Sequence, residues 1–435
     1  MKKQVKDSFI IGAGVTGLAT GFASGLPVYE ANDVAGGICT SYYMKPGNAK
    51  RMFAAPRDGN AYHFETGGGH WIFGGSDEIK KFIKKLSPYN VYERKSSVYL
   101  PDSKLFVPYP LQNNLAFLDK KTSDKAVKEI LHPNKSKVVT MKEWNEHNFG
   151  KTLSEIFFNP FHELYTARLY SKIAPQDNYK SPIDKDKVLG GYKGKKFSVG
   201  YNATFIYPRK GLDSLARKLA EKCNIHYNKK IVKINLKNKE ALFADGSSRK
   251  FNTLVSTLPL NKMTRMAGIS AGKAFPSPSV LVVNIGAKKG PACPSDQWVY
   301  IPKSRSGFHR VGFYSNVDRM FLPKKHRKSN GHVSVYVERA YPDGFEISKK
   351  EMTKVSRQII KELQDWQWIG KVDVFDPTWI ETAYTWSWPD SLWKEKVLAE
   401  LEKHGIIQIG RYGKWVFQGI ADSISDGLKL GREIK

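Results

Sequence analysis

Apolar positions change period several times along the chain, and each change predicts an element. Phe9, Ile10 and Ile11 form an unbroken apolar run closed by a glycine, the pattern of a short strand buried on both faces of a parallel sheet. Leu212, Leu215, Ala216 and Leu219 recur at helical spacing within residues 212–222 and predict an amphipathic helix. Beyond it, Ile231 to Phe243, an Asp245-Gly246 turn and Phe251 to Leu258 read as a hairpin followed by a second buried strand. These patterns place the chain in the α/β class. No Ser/Gly-rich or Pro-rich linker and no internal repeat interrupts the 435 residues, so a large core divided among two or three intimately connected lobes is expected.

The turn after the first strand carries Gly12, Gly14 and Gly17, followed by Glu30 at the end of the next apolar run and then by Gly36-Gly37. Glycines at this spacing let the backbone turn tightly and approach a pyrophosphate, the following helix offers its N-terminal amides to that anion, and the acidic side chain accepts from a ribose hydroxyl. A dinucleotide cofactor is the expectation. Only 18 positions separate Gly12 from Glu30, fewer than the roughly 20 usual for this motif. The first helix must therefore be brief, with Gly25 near its C-terminal cap.

The stretch Tyr29 to Ser41, with its Gly36-Gly37 pair, resembles the segment that wraps the FAD pyrophosphate in the flavoprotein family containing amine oxidases and UDP-galactopyranose mutases. Further segments are similar to the mutase branch and follow in the same order. They are Phe64 to Phe73 with Gly68-Gly69-His70, Val107 to Asn114, Tyr201-Asn202 through Gly211, Leu254 to Thr257, and Gly410-Arg411-Tyr412-Gly413-Lys414-Trp415. The resemblance implies an FAD-binding Rossmann-like domain of mutase/amine-oxidase type with inserted substrate-side α+β lobes. Residues 1–75, 200–265 and 405–435 would form the discontinuous FAD domain, 76–199 a mainly helical substrate and lid region, and 266–404 a mixed α/β substrate side. It further implies Gly68, Gly69 and Arg411 as cofactor contacts beside Gly12, Gly14, Gly17, Glu30, Gly36 and Gly37. His70 would then tune the flavin N5 region, or merely bond a backbone carbonyl.

Charge changes the picture of the substrate. Seventy Lys and Arg against 41 Asp and Glu give +29, an excess that calls for an anionic partner unless it only decorates a solvated surface. The excess is uneven: Lys303 to Lys328 carries eight basic residues and one acid, and Lys185 to Lys196 mixes lysines with Gly190, Gly191 and Gly194. Residues 179–200 are expected to form a cationic, glycine-hinged lid, with Lys193, Lys195 and Lys196 contacting a polyphosphate or nucleic-acid backbone. Cys39, Cys223 and Cys293 are widely spaced, and the ten histidines show no clustered ligand spacing, so no disulfide framework and no metal site is expected. No apolar stretch approaches the ~20 residues needed to span a bilayer, and no leader pattern stands at Met1, which together point to a cytoplasmic protein, or to the host cytoplasm for a viral one. Oligomeric state is not legible.

Departures from the mutase pattern lie on the substrate side. The resemblance implies two arginines at a nucleotide-sugar diphosphate: Arg310 matches the first, but Val416 stands where the second should be, and the tyrosine-proline element is altered to Trp386-Ser387-Trp388-Pro389. Losing a planar, bidentate cation weakens diphosphate binding by several kcal/mol unless another residue substitutes. Aromatic residues replace what is lost. Trp388 and Tyr412 are the candidate catalytic walls beside His70, and Tyr201, Asn202, Tyr384 and Trp386 the candidate substrate contacts with Arg310. Three chemistries stay open: oxidation or C–N cleavage of an amino-modified base carried in DNA, as in phage-type thymine hypermodification, redox-neutral nucleotide-sugar rearrangement through reduced flavin N5, and oxidation of a small amine.

Overall fold

The computed structural model describes residues 7–133, 137–176, 183–197 and 202–435. Strand Ser8–Ile11 lies in the middle of a five-stranded parallel sheet, ordered Ile406–Gln408, Thr253–Ser256, Ser8–Ile11, Val28–Tyr29, Ile225–His226. Its strands come from three separated stretches of chain. Helix Val15–Ser24 has ten residues and stops at Gly25, whose φ of +76° is the left-handed conformation that glycine adopts freely. The short gap to Glu30 is met by this brief helix and by a second strand of two residues. The C-terminal helix Ile420–Glu433 packs along the first helix, and small residues set the spacing: a Cβ at Gly427 would stand 2.4 Å from the Thr16 carbonyl oxygen.

Helix Leu212–Ala220 buries Leu212, Leu215, Ala216 and Leu219, the apolar face that the spacing predicts. The predicted hairpin has one strand more than expected. Ile231–Asn235, Glu240–Phe243 and Ser248–Lys250 form an antiparallel meander, because Asn235 accepts from the Asn238 N–H and turns the chain before Glu240. The Asp245-Gly246 turn joins its second and third strands, and Thr253–Ser256 then enters the parallel sheet.

Residues 76–199 hold helices but also strands Ser96–Leu100 and Leu105–Pro108, which belong to a seven-stranded sheet. Its order is Ile369–Ile380, Ser279–Lys289, His332–Tyr341, Arg310–Phe313, Trp298–Tyr300, Ser96–Leu100, Leu105–Pro108. Tyr89–Glu93 pairs instead with Thr204–Pro208. Of the expected glycine-hinged lid, residues 183–197 are described, and Gly194 there has φ +79° with nothing within 4 Å of its missing Cβ. Lys185–Tyr192 is a helix capped by Asp184, and Gly190 and Gly191 serve close packing; a Cβ at Gly191 would lie 2.0 Å from the Asn113 carbonyl oxygen. Residues 179–182 and 198–200 of that segment, like Tyr201, lie outside the described residues. Among the described residues no helix is long and apolar enough to cross a membrane.

Candidate active site

A cavity of about 670 Å³ runs from the first glycine turn to the seven-stranded sheet. At its first end the glycines divide into two jobs. Gly12 and Gly17 are packing positions: a Cβ at Gly12 would meet Thr257 Oγ1 at 2.2 Å, and one at Gly17 would meet the Gly12 carbonyl oxygen at 1.9 Å. Gly14 has no heavy atom within 4 Å of its missing Cβ and lines the cavity together with Gly36 and Gly37. The Gly36 N–H bonds the Ala13 carbonyl, so the two glycine segments lie side by side. This is a cradle that side chains would fill. Glu30 is buried at the end of the second strand, where the Ala13 N–H donates to Oε2 at 2.7 Å and Asn32 donates twice to Oε1. These bonds fix the carboxylate and leave lone pairs for a further donor.

In the middle, Gly69 lets the chain cross closely over the large sheet, since a Cβ there would overlap the Tyr336 hydroxyl at 1.9 Å, while a Cβ at Gly67 would meet the His70 ring at 2.6 Å. Gly68, at φ +77°, faces Glu338 rather than the cavity. The turn presents His70 to the cavity with Nδ1 buried against the Gly67 backbone. Burial, assisted by Arg411 and Arg310 and opposed by Glu338 and the Gly67 backbone, holds its pKa at about 4, so the imidazole is neutral at pH 7. Arg411 and Tyr412 line the same region. The Arg411 guanidinium lies 4.6 Å from the Phe417 ring centre, and its Nε is buried and unpartnered. Gly410 packs on Thr16 at the start of the first helix, which sets Arg411 at the glycine end.

At the far end Arg310 and Glu338 face each other across adjacent antiparallel strands. Arg310 Nη2 donates to both carboxylate oxygens at 2.6 and 2.5 Å, Tyr384 Oη donates to Oε2 at 3.2 Å, and His309 Nε2 lies 3.6 Å from Oε2. Burial opposes the Glu338 charge, yet Arg310 and His309 hold the carboxyl down at about 2. The predicted anion-binding Arg310 is therefore already neutralised. Arg94 has no such partner. It lines the cavity, donates to Ser96 Oγ and Tyr300 Oη, lies over the Tyr109 and Trp298 rings at 4.8 and 5.3 Å, and among the described residues pairs with no carboxylate. Phe157 and Phe158, on a π-helical turn, and Phe161 and Tyr165, on the helix after it, add an aromatic wall.

Of the other predicted residues, Asn202 and Tyr384 line the cavity. Trp386 does not: it is 2% exposed and packs behind Tyr384, edge-on to Tyr165. Trp388 is corrected as a catalytic wall, since its indole N–H bonds the Ala274 carbonyl and its ring carries the Lys273 ammonium at 3.8 Å, away from the cavity. Lys193, Lys195 and Lys196 are exposed beyond the helix end and do not line it either. Sequence reasoning missed Arg94, Glu338 and the aromatic helix. Glu338 carried a readable signal, as an acid inside the alternating run Val333, Val335, Val337; Arg94, flanked by Glu93 and Lys95, carried none.

A family model for flavin containing amine oxidoreductase matches residues 26–384, most of the chain. The chain belongs to this family. As a member of it the protein is an FAD-dependent enzyme, and Gly14, Gly36, Gly37 and Arg411 would hold the cofactor, with Glu30 fixed at the adjoining strand end. Among solved structures the flavoenzyme is similar to reduced UDP-galactopyranose mutase, at 22% identity over 98% of this chain and 95% of that one, with a TM-score of 0.81. It is also similar to a putrescine oxidase double mutant (13% identity, 98% of each chain, TM-score 0.58) and to a fatty acid isomerase from P. acnes (14% identity, 98% and 97%, TM-score 0.57). These likenesses establish the shared fold.

Proposed function

We propose that this flavoenzyme acts on an anionic nucleotide-type substrate carrying one phosphate group near the flavin, favoured as an amino-modified base within DNA that is oxidised or cleaved at a carbon–nitrogen bond. One observation carries the reading: the substrate end of the cavity presents a single uncompensated guanidinium, Arg94, among aromatic rings, while Arg310 is tied to Glu338 and position 416 is valine. The rings suit stacking of a base and Arg94 suits one phosphate oxygen pair. A small cationic amine fits less well. Both carboxylates on the wall are engaged, Glu338 by Arg310 and Asp422 by the Gly419 N–H, and the cations repel it. When bound, FAD accepts a hydride in its oxidised form or offers a nucleophilic N5 when reduced. Neutral His70 can donate or accept one hydrogen bond beside it without adding charge. The net charge of +29 supports a polyanionic carrier.

Nucleotide-sugar rearrangement is the second reading, favoured by the high structural likeness to a mutase over nearly the whole chain. Anaerobic mixing of the oxidised protein with modified-base oligonucleotides and with UDP-sugars separates the two. The favoured reading expects flavin bleaching by an oligonucleotide, salt-dependent DNA binding, and, in Arg94→Ala, loss of bleaching with FAD content unchanged and a DNA-binding salt slope reduced by about one. Binding of UDP-sugars without bleaching, and no DNA binding at ~50 mM salt, would establish the mutase reading. Bleaching by a diamine that survives Arg94→Ala would overturn both.

A further inference from the structure

A tryptophan stands where the backbone favours glycine. Trp415 follows the short helix Gly410–Gly413 at φ +52°, and the Val416 N–H closes the turn on the Arg411 carbonyl at 3.0 Å. A helix end of this kind usually carries glycine, because a Cβ crowds the left-handed conformation. We infer that Trp415 is a positioning residue that ties the flavin-side turn to the substrate loop 383–388, so that a cofactor bound beside Arg411 and Tyr412 orders the loop that carries Tyr384. The bond that does this is the indole N–H, which donates to the Trp386 carbonyl at 2.8 Å inside the core. Trp415 itself is 1% exposed and does not line the cavity. The assignment rests on the family's FAD and on neither substrate reading.

Each side of this bond is anchored in a different part of the fold. On the turn's side, Gly413 rests on the parallel sheet, where a Cβ would stand 3.1 Å from the Ser256 carbonyl oxygen, and the Lys414 ammonium pairs with Asp426 of the C-terminal helix at 3.1 Å. The Trp415 ring lies edge-on to Trp393, in a buried cluster that includes Leu254 and Ile406 of that sheet. On the loop's side, the Ala383 N–H bonds the Pro278 carbonyl, the Trp386 N–H bonds the Pro276 carbonyl, and the Ser387 carbonyl accepts from the Ala174 N–H of the helical region. Tyr384, two residues before Trp386, lines the cavity and donates to Glu338. Phenylalanine would fill much of the same space, and glycine would suit the backbone better, but neither can donate to the Trp386 carbonyl. What tryptophan adds to both is a donor on a buried ring, and that bond offsets an unfavourable backbone conformation.

The test follows amide hydrogen exchange by mass spectrometry, with FAD removed and restored, in peptides carrying two amides off the cavity, those of Trp386 and Ala174. In wild type, FAD should slow exchange at both by about fivefold, the scale that one hydrogen bond supplies. In Trp415→Phe, which keeps a ring and loses the N–H, FAD should still slow exchange across residues 410–416 but change neither reporter by more than about twofold. Trp415→Gly, whose backbone suits the turn, should behave in the same way, which guards against poor folding of the first variant. A purely structural contact would instead raise exchange equally with and without FAD, leaving the response to FAD as in wild type. That result overturns the inference, as does a wild type whose two amides ignore FAD, or loss of FAD from both variants.

Discussion

Replacing Glu338 by glutamine tests the charge arrangement on which the substrate reading depends. The change keeps size and one acceptor but strands the Arg310 guanidinium, whose side chain is 27% exposed, opposite a neutral amide. Two unit charges about 4 Å apart attract by about 4 kcal/mol at an effective dielectric near 20, part of which is offset by no longer burying the carboxylate. Breaking a fully buried pair costs roughly 3–5 kcal/mol. Because Arg310 keeps contact with the cavity, the expected loss is about 2 kcal/mol. An unfolding entropy of about 2.1 cal/mol/K per residue over 435 residues gives about 0.9 kcal/mol/K, so Tm should fall by about 2 °C.

The pH dependence of that loss has a definite sign. Glu338 is held at about 2, below its ordinary 4.5, so its stabilisation is present above pH 4.5 and lost as pH falls towards 2. Calorimetry of both proteins should show the Tm difference constant from pH 7 to 5 and shrinking below that. The freed guanidinium adds a second cation. UDP should bind about tenfold tighter, as one charge-assisted hydrogen bond contributes about 1.5–3 kcal/mol before the cost of ordering, while UMP changes much less. A variant as stable as wild type at pH 7, or one that tightens UMP and UDP equally, refutes the reasoning.

Two substitutions separate the glycine roles. Gly17→Ala puts a Cβ 1.9 Å from a backbone oxygen and should lower yield and Tm, whereas a Cβ at Gly14 meets nothing within 4 Å, so Gly14→Val should fold but purify with a low flavin-to-protein absorbance ratio. A Gly14→Val protein that retains full FAD contradicts the cradle. Glu65 should give a pH slope opposite to that of Glu338: burial, with Asp213 nearby, raises its pKa from 4.5 to about 8 against hydrogen bonds from Tyr207 and Ser41, so its contribution is present below pH 4.5 and lost as pH rises through 8. Thermal melts should show wild type losing stability from pH 5 to 8 and Glu65→Gln losing less; parallel profiles for the two would rule this out.

The first strand, its glycine turn and Glu30 were legible because each requirement is local and written in residue type: an apolar run, positions where a Cβ collides, an acid at a strand end. Gly12 and Gly17 show the limit of that legibility. Sequence makes them equivalent to Gly14, and only packing reveals that two serve the fold and one faces the ligand. The parallel pairing of Trp298–Tyr300 with Ser96–Leu100 was not legible at all, since it joins segments about 200 residues apart and no local pattern encodes a partner. The basic residues after Tyr192 were legible as charge, but the roles of the glycines beside them were not, because Gly191, which packs against Asn113, and Gly194, at φ +79° with nothing within 4 Å of its missing Cβ, look alike in sequence.

On the substrate side, aromatic residues were visible and their directions were not. After Ile380 the chain leaves regular strand structure, so no two-residue period says which ring points inward, and Tyr384 faces the cavity while Trp386 and Trp388 do not. Arg310 could be found by resemblance, yet its meaning depended on Glu338, 28 residues later and opposite it only through strand register. That pairing bears on the chemistry more than any single residue does. With Arg310 compensated, Arg94 is the unpaired guanidinium among the far-end rings, while Arg411, beside Phe417, adds its charge from the side of His70 and Tyr384; a diphosphate placed at the far end would meet one unpaired guanidinium there. A phosphodiester carries one charge and would be matched. The fold is shared with a mutase, and the proposed reading turns on whether the far-end cation Arg94 meets a single phosphate, which a base presented on a nucleic-acid strand would bring to each neighbouring position.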